Sequence, residues 1–150
     1  MKLLIFFALV CLCGCVNQVT KQITPTVDLT KIKNICVEKF APDGRELNLL
    51  IVAALKGFNY NASTADKCPD NVDAVLTYRD KWRWDLSMYM LSISMRLSDP
   101  NTGFPLAFGQ ALHTSLTRQS PKDTINEVLA SIFSKPNNLS SSSNDAQEYE

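Results

Sequence analysis

The chain has a single histidine, His113, and lacks the residue spacings on which most hydrolytic, nucleotide-dependent and redox chemistry is built. It has no Gly-x-Ser-x-Gly nucleophile elbow, no phosphate-binding glycine loop and no Cys-x-x-Cys pair. His113 falls in an alternating segment with no acid or cysteine beside it, and is read as structural. One histidine and the two cysteines left to the body of the chain do not supply a tetrahedral metal set. The acids Asp66, Asp70, Asp73, Asp80 and Asp85 have no spacing that specifies a site. An excess of one charge is also missing, since 15 Lys plus Arg face 15 Asp plus Glu. Nucleic acid is therefore not expected as a partner, because phosphate binding needs a basic excess. Beyond the first dozen residues no apolar run approaches the roughly 20 residues that a membrane-spanning helix needs. The expectation is a non-catalytic protein with no cofactor and no metal.

What is present begins with the first fifteen residues. Met1-Lys2 is followed by an unbroken apolar stretch from Leu3 to Leu12 and then Cys13-Gly14-Cys15. A short basic start, an apolar core and a small residue before the cut describe an export signal. The run Leu12-Cys13-Gly14-Cys15 resembles the lipobox of bacterial lipoproteins. That resemblance implies cleavage after Gly14 and acylation of Cys15, with the membrane as a partner through the N-terminal lipid. Two or more acyl chains anchor stably, at about 0.8 kcal/mol per buried methylene, whereas one anchors only reversibly. Val16 follows the cysteine, where an Asp would imply inner-membrane retention, so the periplasmic face of the outer membrane is favoured over the inner membrane.

Removing residues 1–14 takes away Cys11 and Cys13, and acylation uses Cys15. Cys36 and Cys68 remain, and in an oxidising compartment a lone pair of this kind is read as one disulfide. It closes a loop of about 33 residues and contributes roughly 3–4 kcal/mol. The remainder is enough for one domain with one core. Residues 15–30 are polar and read as the lipidated cysteine and a tether. Residues 31–135 are the ordered domain. Residues 136–150, with four consecutive serines, read as a disordered tail.

Within the domain, Ile32 to Phe40 reads as a strand. Arg45 to Phe58 places Leu47, Leu50, Ile51, Ala54, Leu55 and Phe58 at helical spacing. Asn59 to Thr64 is a candidate short strand. From Val72 to Leu116 the apolar period becomes two. Strands open at Val75, run from Leu86 to Leu97 and run from Phe104 to Thr114. In the second, Tyr89, Leu91, Ile93, Met95 and Leu97 share one face, and Leu86, Met88, Met90, Ser92, Ser94 and Arg96 the other. In the third, Phe104, Leu106, Phe108, Gln110 and Leu112 alternate with small residues. Asp99 to Gly103 supplies a turn. Ser120-Pro121-Lys122-Asp123 is a helix start, with Ile125, Val128, Leu129, Ile132 and Phe133 on one stripe. The class expected is α+β: an antiparallel-rich sheet of four to five strands with two helices packed on one face.

The densest unusual segment is Tyr78-Arg79-Asp80-Lys81-Trp82-Arg83-Trp84-Asp85. Extended, it sets Tyr78, Trp82 and Trp84 on one face and Arg79, Lys81 and Arg83 on the other. Tyr78, Arg79, Trp82, Arg83 and Trp84 are candidate partner-binding residues, since exposed Trp and Arg are enriched where proteins bind. The alternative is a hairpin whose aromatics cover the core while the cations lie over the rings.

The lipobox, Ile35-Cys36-Val37, Ala54-Leu55-Lys56-Gly57-Phe58, Cys68, Leu76-Thr77-Tyr78 and Trp84-Asp85 together resemble a family of small uncharacterised proteobacterial lipoproteins. The resemblance implies a lipoprotein but brings no activity with it. The function expected is a lipid-anchored periplasmic protein that binds or helps assemble an envelope component, protein or glycan. The alternatives are a small-ligand or glycan-binding module and, third, a hydrolase.

Overall fold

The computed structural model describes residues 17–134. The expected signal at 1–14, Cys15 as the expected acylation site and the expected tail at 136–150 lie outside the described residues. Eight main elements follow in order: β1 (Gln18–Ile23), β2 (Asn34–Glu38), α1 (Leu47–Gly57), β3 (Asn61–Ala65), β4 (Ala74–Asp85), β5 (Ser87–Ser98), β6 (Pro105–Leu112) and α2 (Pro121–Phe133). Short 3-10 turns lie at Leu29–Lys31 and Ser115–Thr117. No helix among the described residues is long and apolar enough to cross a membrane.

The strands form one sheet in the order β1-β6-β5-β4-β2-β3. The α+β class holds, but the sheet has six strands rather than four to five, and it is mixed. β4, β5, β6 and β1 pair antiparallel, whereas β2 runs parallel to both β3 and β4. The parallel half follows from chain length: α1 carries the chain across the sheet from β2 to β3, a connection that parallel neighbours require. The extra strand is β1. Its sequence, Gln-Val-Thr-Lys-Gln-Ile, is almost wholly exposed, because it is an edge strand held by backbone bonds to β6. Residues 18–23 of the presumed tether therefore belong to the sheet, and the ordered fold starts before residue 31.

Both helices lie on one face. α1 packs on β2 and β3 and against α2, and α2 packs on β6, β1 and β5. Ser120 caps α2 by accepting from the Asp123 N–H, with Pro121 at the first helical position. The core unites Ile35, Val37, Leu76, Ile93, Met95 and Leu97 of the sheet with Leu47, Ile51 and Leu55 of α1 and Ile125, Val128, Leu129 and Ile132 of α2. Burying each such side chain contributes about 1.5–3 kcal/mol.

Two side-chain assignments differ from the alternation. In β6 the buried residues are the small ones, Ala107, Gly109 and Ala111, while Leu106 and Phe108 point to the uncovered side. α2 sits so close that a Cβ on Gly109 would come within 2.9 Å of Ile132 and Val128 side-chain carbons. In β5 the register slips between Lys81–Ser92 and Trp82–Met90, leaving Leu91 without a partner in β4. This bulge turns Met90 into the core, where it is 1% exposed, although simple alternation groups it with Ser92.

Cys36 and Cys68 are joined by a disulfide with Cα atoms 5.8 Å apart.

Candidate functional site

Among the described residues, no helix covers the face of β4, β5 and β6 opposite α1 and α2. Pairing fixes its membership: Thr77 lies opposite Arg96 and Arg79 opposite Ser94, while Arg96 lies opposite Phe108 and Ser94 opposite Gln110. Gln22 adjoins Phe108 from the edge. Two shallow depressions share Arg96 and Phe108. One, of about 380 Å³, is also lined by Gln22, Thr24 and Pro105, and the other, of about 290 Å³, by Thr77, Arg79 and Ser94. Arg79 is exposed and its guanidinium lies 4.2 Å above the centre of the Phe40 ring. A flat surface of guanidinium, hydroxyl and amide groups around one phenyl ring suits an anionic or hydroxyl-rich surface better than an apolar ligand.

The same two strands continue beyond the sheet. β2 leaves β4 after Leu76, and β6 leaves β5 at Ser92, so residues 82–91 form a two-stranded ribbon projecting from one end. Its turn is Asp85-Leu86-Ser87, with Leu86 at a φ of 55°. Trp84 pairs across the ribbon with Met88. Trp84 is 72% exposed, Leu86 92% and Met88 48%.

The five candidate residues therefore have separate environments. Tyr78 is only 2% exposed and faces the helices, so it belongs to the core rather than to a binding surface. Its hydroxyl donates to Asp43 Oδ2, and burial with that bond drives its pKa far up. Asp43 also accepts from the Arg45 and Asn48 N–H groups, which secures the start of α1. Burial pushes the Asp43 carboxyl up, but the Tyr78 hydroxyl and the backbone N–H groups outweigh it and hold it below its ordinary value. Trp82 is half-buried, donates from Nε1 to Asp80, and carries the Arg45 guanidinium 4.1 Å from its ring centre. Arg79 lies on the uncovered face, and Arg83 and Trp84 are exposed on the ribbon.

Local reading missed Arg96 and Phe108, whose meeting depends on strand register, and Leu86, whose turn carries neither glycine nor asparagine. It also missed Arg118, which clamps the ribbon: it donates to Ser87 Oγ at 2.8 Å and to the Ser115 carbonyl at 2.9 Å, and lies 5.0 Å from the Tyr89 ring centre. His113 is fully buried, with Nδ1 2.7 Å from Asn17 Oδ1 and Nε2 2.8 Å from Glu127 Oε2. Both ring nitrogens are thus occupied in joining the chain start and α2 to the end of β6. No group of three or more metal-ligating side chains is present among the described residues.

The fold is a mixed six-stranded sheet with helices on one face. No family model matches the chain, and no curated protein matches it. Among solved structures it is similar to the PelC dodecamer from Paraburkholderia phytofirmans, with a TM-score of 0.59 at 16% identity over 77% of this chain and 96% of that one. A single-substitution form of the same dodecamer gives a TM-score of 0.59 at 15% identity over the same shares. At these identities the likeness is one of fold.

Proposed function

We propose that the chain is a lipid-anchored periplasmic protein of non-catalytic character that binds or helps assemble an envelope component across its uncovered sheet face. The observation that carries this reading is the open face of β4, β5 and β6, where Arg96 lies beside Phe108 and Arg79 one strand further, with no helix of the described residues over them. The Leu12 to Cys15 lipobox supports the anchor, and the Cys36–Cys68 disulfide supports an oxidising compartment. The PelC fold serves in a dodecamer, which supports a role in assembly. Glycan is the second reading, favoured by one aromatic ring set among guanidinium and hydroxyl groups.

The test is photo-crosslinking in intact cells from Phe108, with Lys122 on the exposed side of α2 as the control. A defined adduct from position 108 that is absent from 122, and reduced about tenfold by Arg79→Ala with Arg96→Ala, is expected. Its mass separates protein from glycan. Identical adducts from both positions would exclude the sheet face as the binding surface.

A further inference from the structure

The projecting ribbon has not been accounted for by the sheet-face reading. Among the described residues seven large apolar side chains are exposed, and four of them, Trp84, Leu86, Met88 and Leu116, belong to this end. Leu116 joins them because it lies in the turn from which Arg118 reaches Ser87. A ribbon tip with Trp, Leu and Met in solvent contributes nothing to the core, and these side chains are costly to leave in water. Behind the tip stand Arg83 and Arg118 beside Asp85, with Lys81, Arg45 and Asp80 nearer the ribbon's base. Apolar residues at the point with cations behind them match the boundary between acyl chains and anionic headgroups, where Trp is enriched.

A second observation is independent of this composition. The beginning of β1, where the described residues start, lies at the same end of the sheet. Gln18 pairs with Leu112, Leu112 with Ser92, and Ser92 with Lys81, so one row of neighbours joins the first strand to the base of the ribbon. Asn17 is tied there by His113. Cys15 stands three residues before Gln18, so its reach from that row is about 10 Å at most. Leu86 stands six residues beyond Ser92, about 20 Å along the strand. With the chain to Cys15 fully extended and Cys15 at the headgroup level, the tip comes at least about 10 Å deeper, at the outer limit of the roughly 5–10 Å to which interfacial apolar faces enter.

We infer that the β4–β5 ribbon is a membrane-docking device, inserting Trp84, Leu86 and Met88 into an anionic phospholipid surface while Arg83 and Arg118 meet the phosphates. The inference rests on the anchor reading for which end faces the bilayer. Lipid and ribbon then hold the domain at two points, with the sheet upright and its open face turned sideways to the periplasm.

The test uses the whole mature chain from residue 15 with Cys15→Ser, so that acyl chains do not dominate, and phosphatidylcholine vesicles with or without phosphatidylglycerol. Binding about tenfold tighter to the anionic vesicles is expected, weakened by salt. Brominated lipid should quench tryptophan emission, and Trp84→Phe should abolish that quenching. Trp84→Ser with Leu86→Ser should remove about tenfold or more of the binding while urea unfolding stays unchanged, since both side chains lie outside the core. Equal binding by that variant, or quenching that survives Trp84→Phe, overturns the inference. Self-association without vesicles that the same variant abolishes also overturns it, and marks the tip as a protein interface. Fatty-acid labelling of wild type beside Cys15→Ser separates the two readings. A wild type without label, with vesicle binding intact, removes the anchor and leaves the docking device, whereas label without vesicle binding does the reverse.

Discussion

Asp43 shows how one carboxylate joins two parts of the fold. It takes the hydroxyl of Tyr78 from the sheet and the N–H groups that open α1, so it holds the helix start to β4. Glu46, at the helix boundary itself, has a φ of 56° and makes no side-chain cap, and Asp43 supplies what it lacks. A carboxyl whose pKa is depressed on folding contributes stability that is fully present above its unfolded value, near pH 4, and is lost as pH falls through the lower folded value. Asp43→Asn should therefore cost about 1–3 kcal/mol near neutrality, and the deficit relative to wild type should shrink steadily below about pH 4. Urea unfolding at a series of pH values measures this difference. Because Asp28, Asp73 and Asp99 are also depressed and remain in the variant, the difference isolates Asp43. A deficit that stays constant into acid would mean that the amide loses packing, not charge-assisted hydrogen bonds.

At the scale of elements, the distance between α2 and β6 is set by what β6 omits. Alternation in this strand was legible, but which set faced inward was not, because large apolar residues normally mark the core side. Here the helix approaches Gly109 so closely that the larger Leu106 and Phe108 are turned outward. Gly109→Ala should destabilise by about 1–3 kcal/mol, because the added methyl needs Val128 and Ile132 to move within a packed core. Chemical denaturation checks the size, and Val128→Ala in the same chain should recover part of the loss by making room. The helices and β2 to β6 were readable from period and caps, Ser120-Pro121 above all. The edge strand β1 was not, since its side chains are solvated and only its backbone is paired. The candidate site was readable to the same partial extent. The run from Tyr78 to Trp84 announced an aromatic and cationic strip, but Tyr78 lies in the core because Asp43 waits 35 residues away. Trp84 is free because the neighbouring strands end early, a property of the sheet that no local pattern carries.

For the molecule as a whole, the sheet divides into two halves with different folding costs. β4, β5, β6 and β1 are antiparallel, and the two hairpins joining β4 to β5 and β5 to β6 are short. β2, by contrast, sits between β3 and β4 and must meet both in parallel, with α1 and the loop after Ala65 closed in between. The Cys36–Cys68 bridge spans that crossover, tying central β2 to the loop that leads into β4. Closing a loop with a sequence separation of 32 residues removes freedom mainly from the unfolded chain, which predicts a contribution of about 3–4 kcal/mol. Comparing oxidised with reduced wild-type protein keeps the sequence fixed, and urea unfolding should show that loss on reduction. If the bridge acts through the unfolded state, the denaturant slope should also rise on reduction, because the released chain exposes more surface. A slope that stays constant beside a loss of less than about 1 kcal/mol would contradict the loop-closure account and leave the parallel half held by core packing alone.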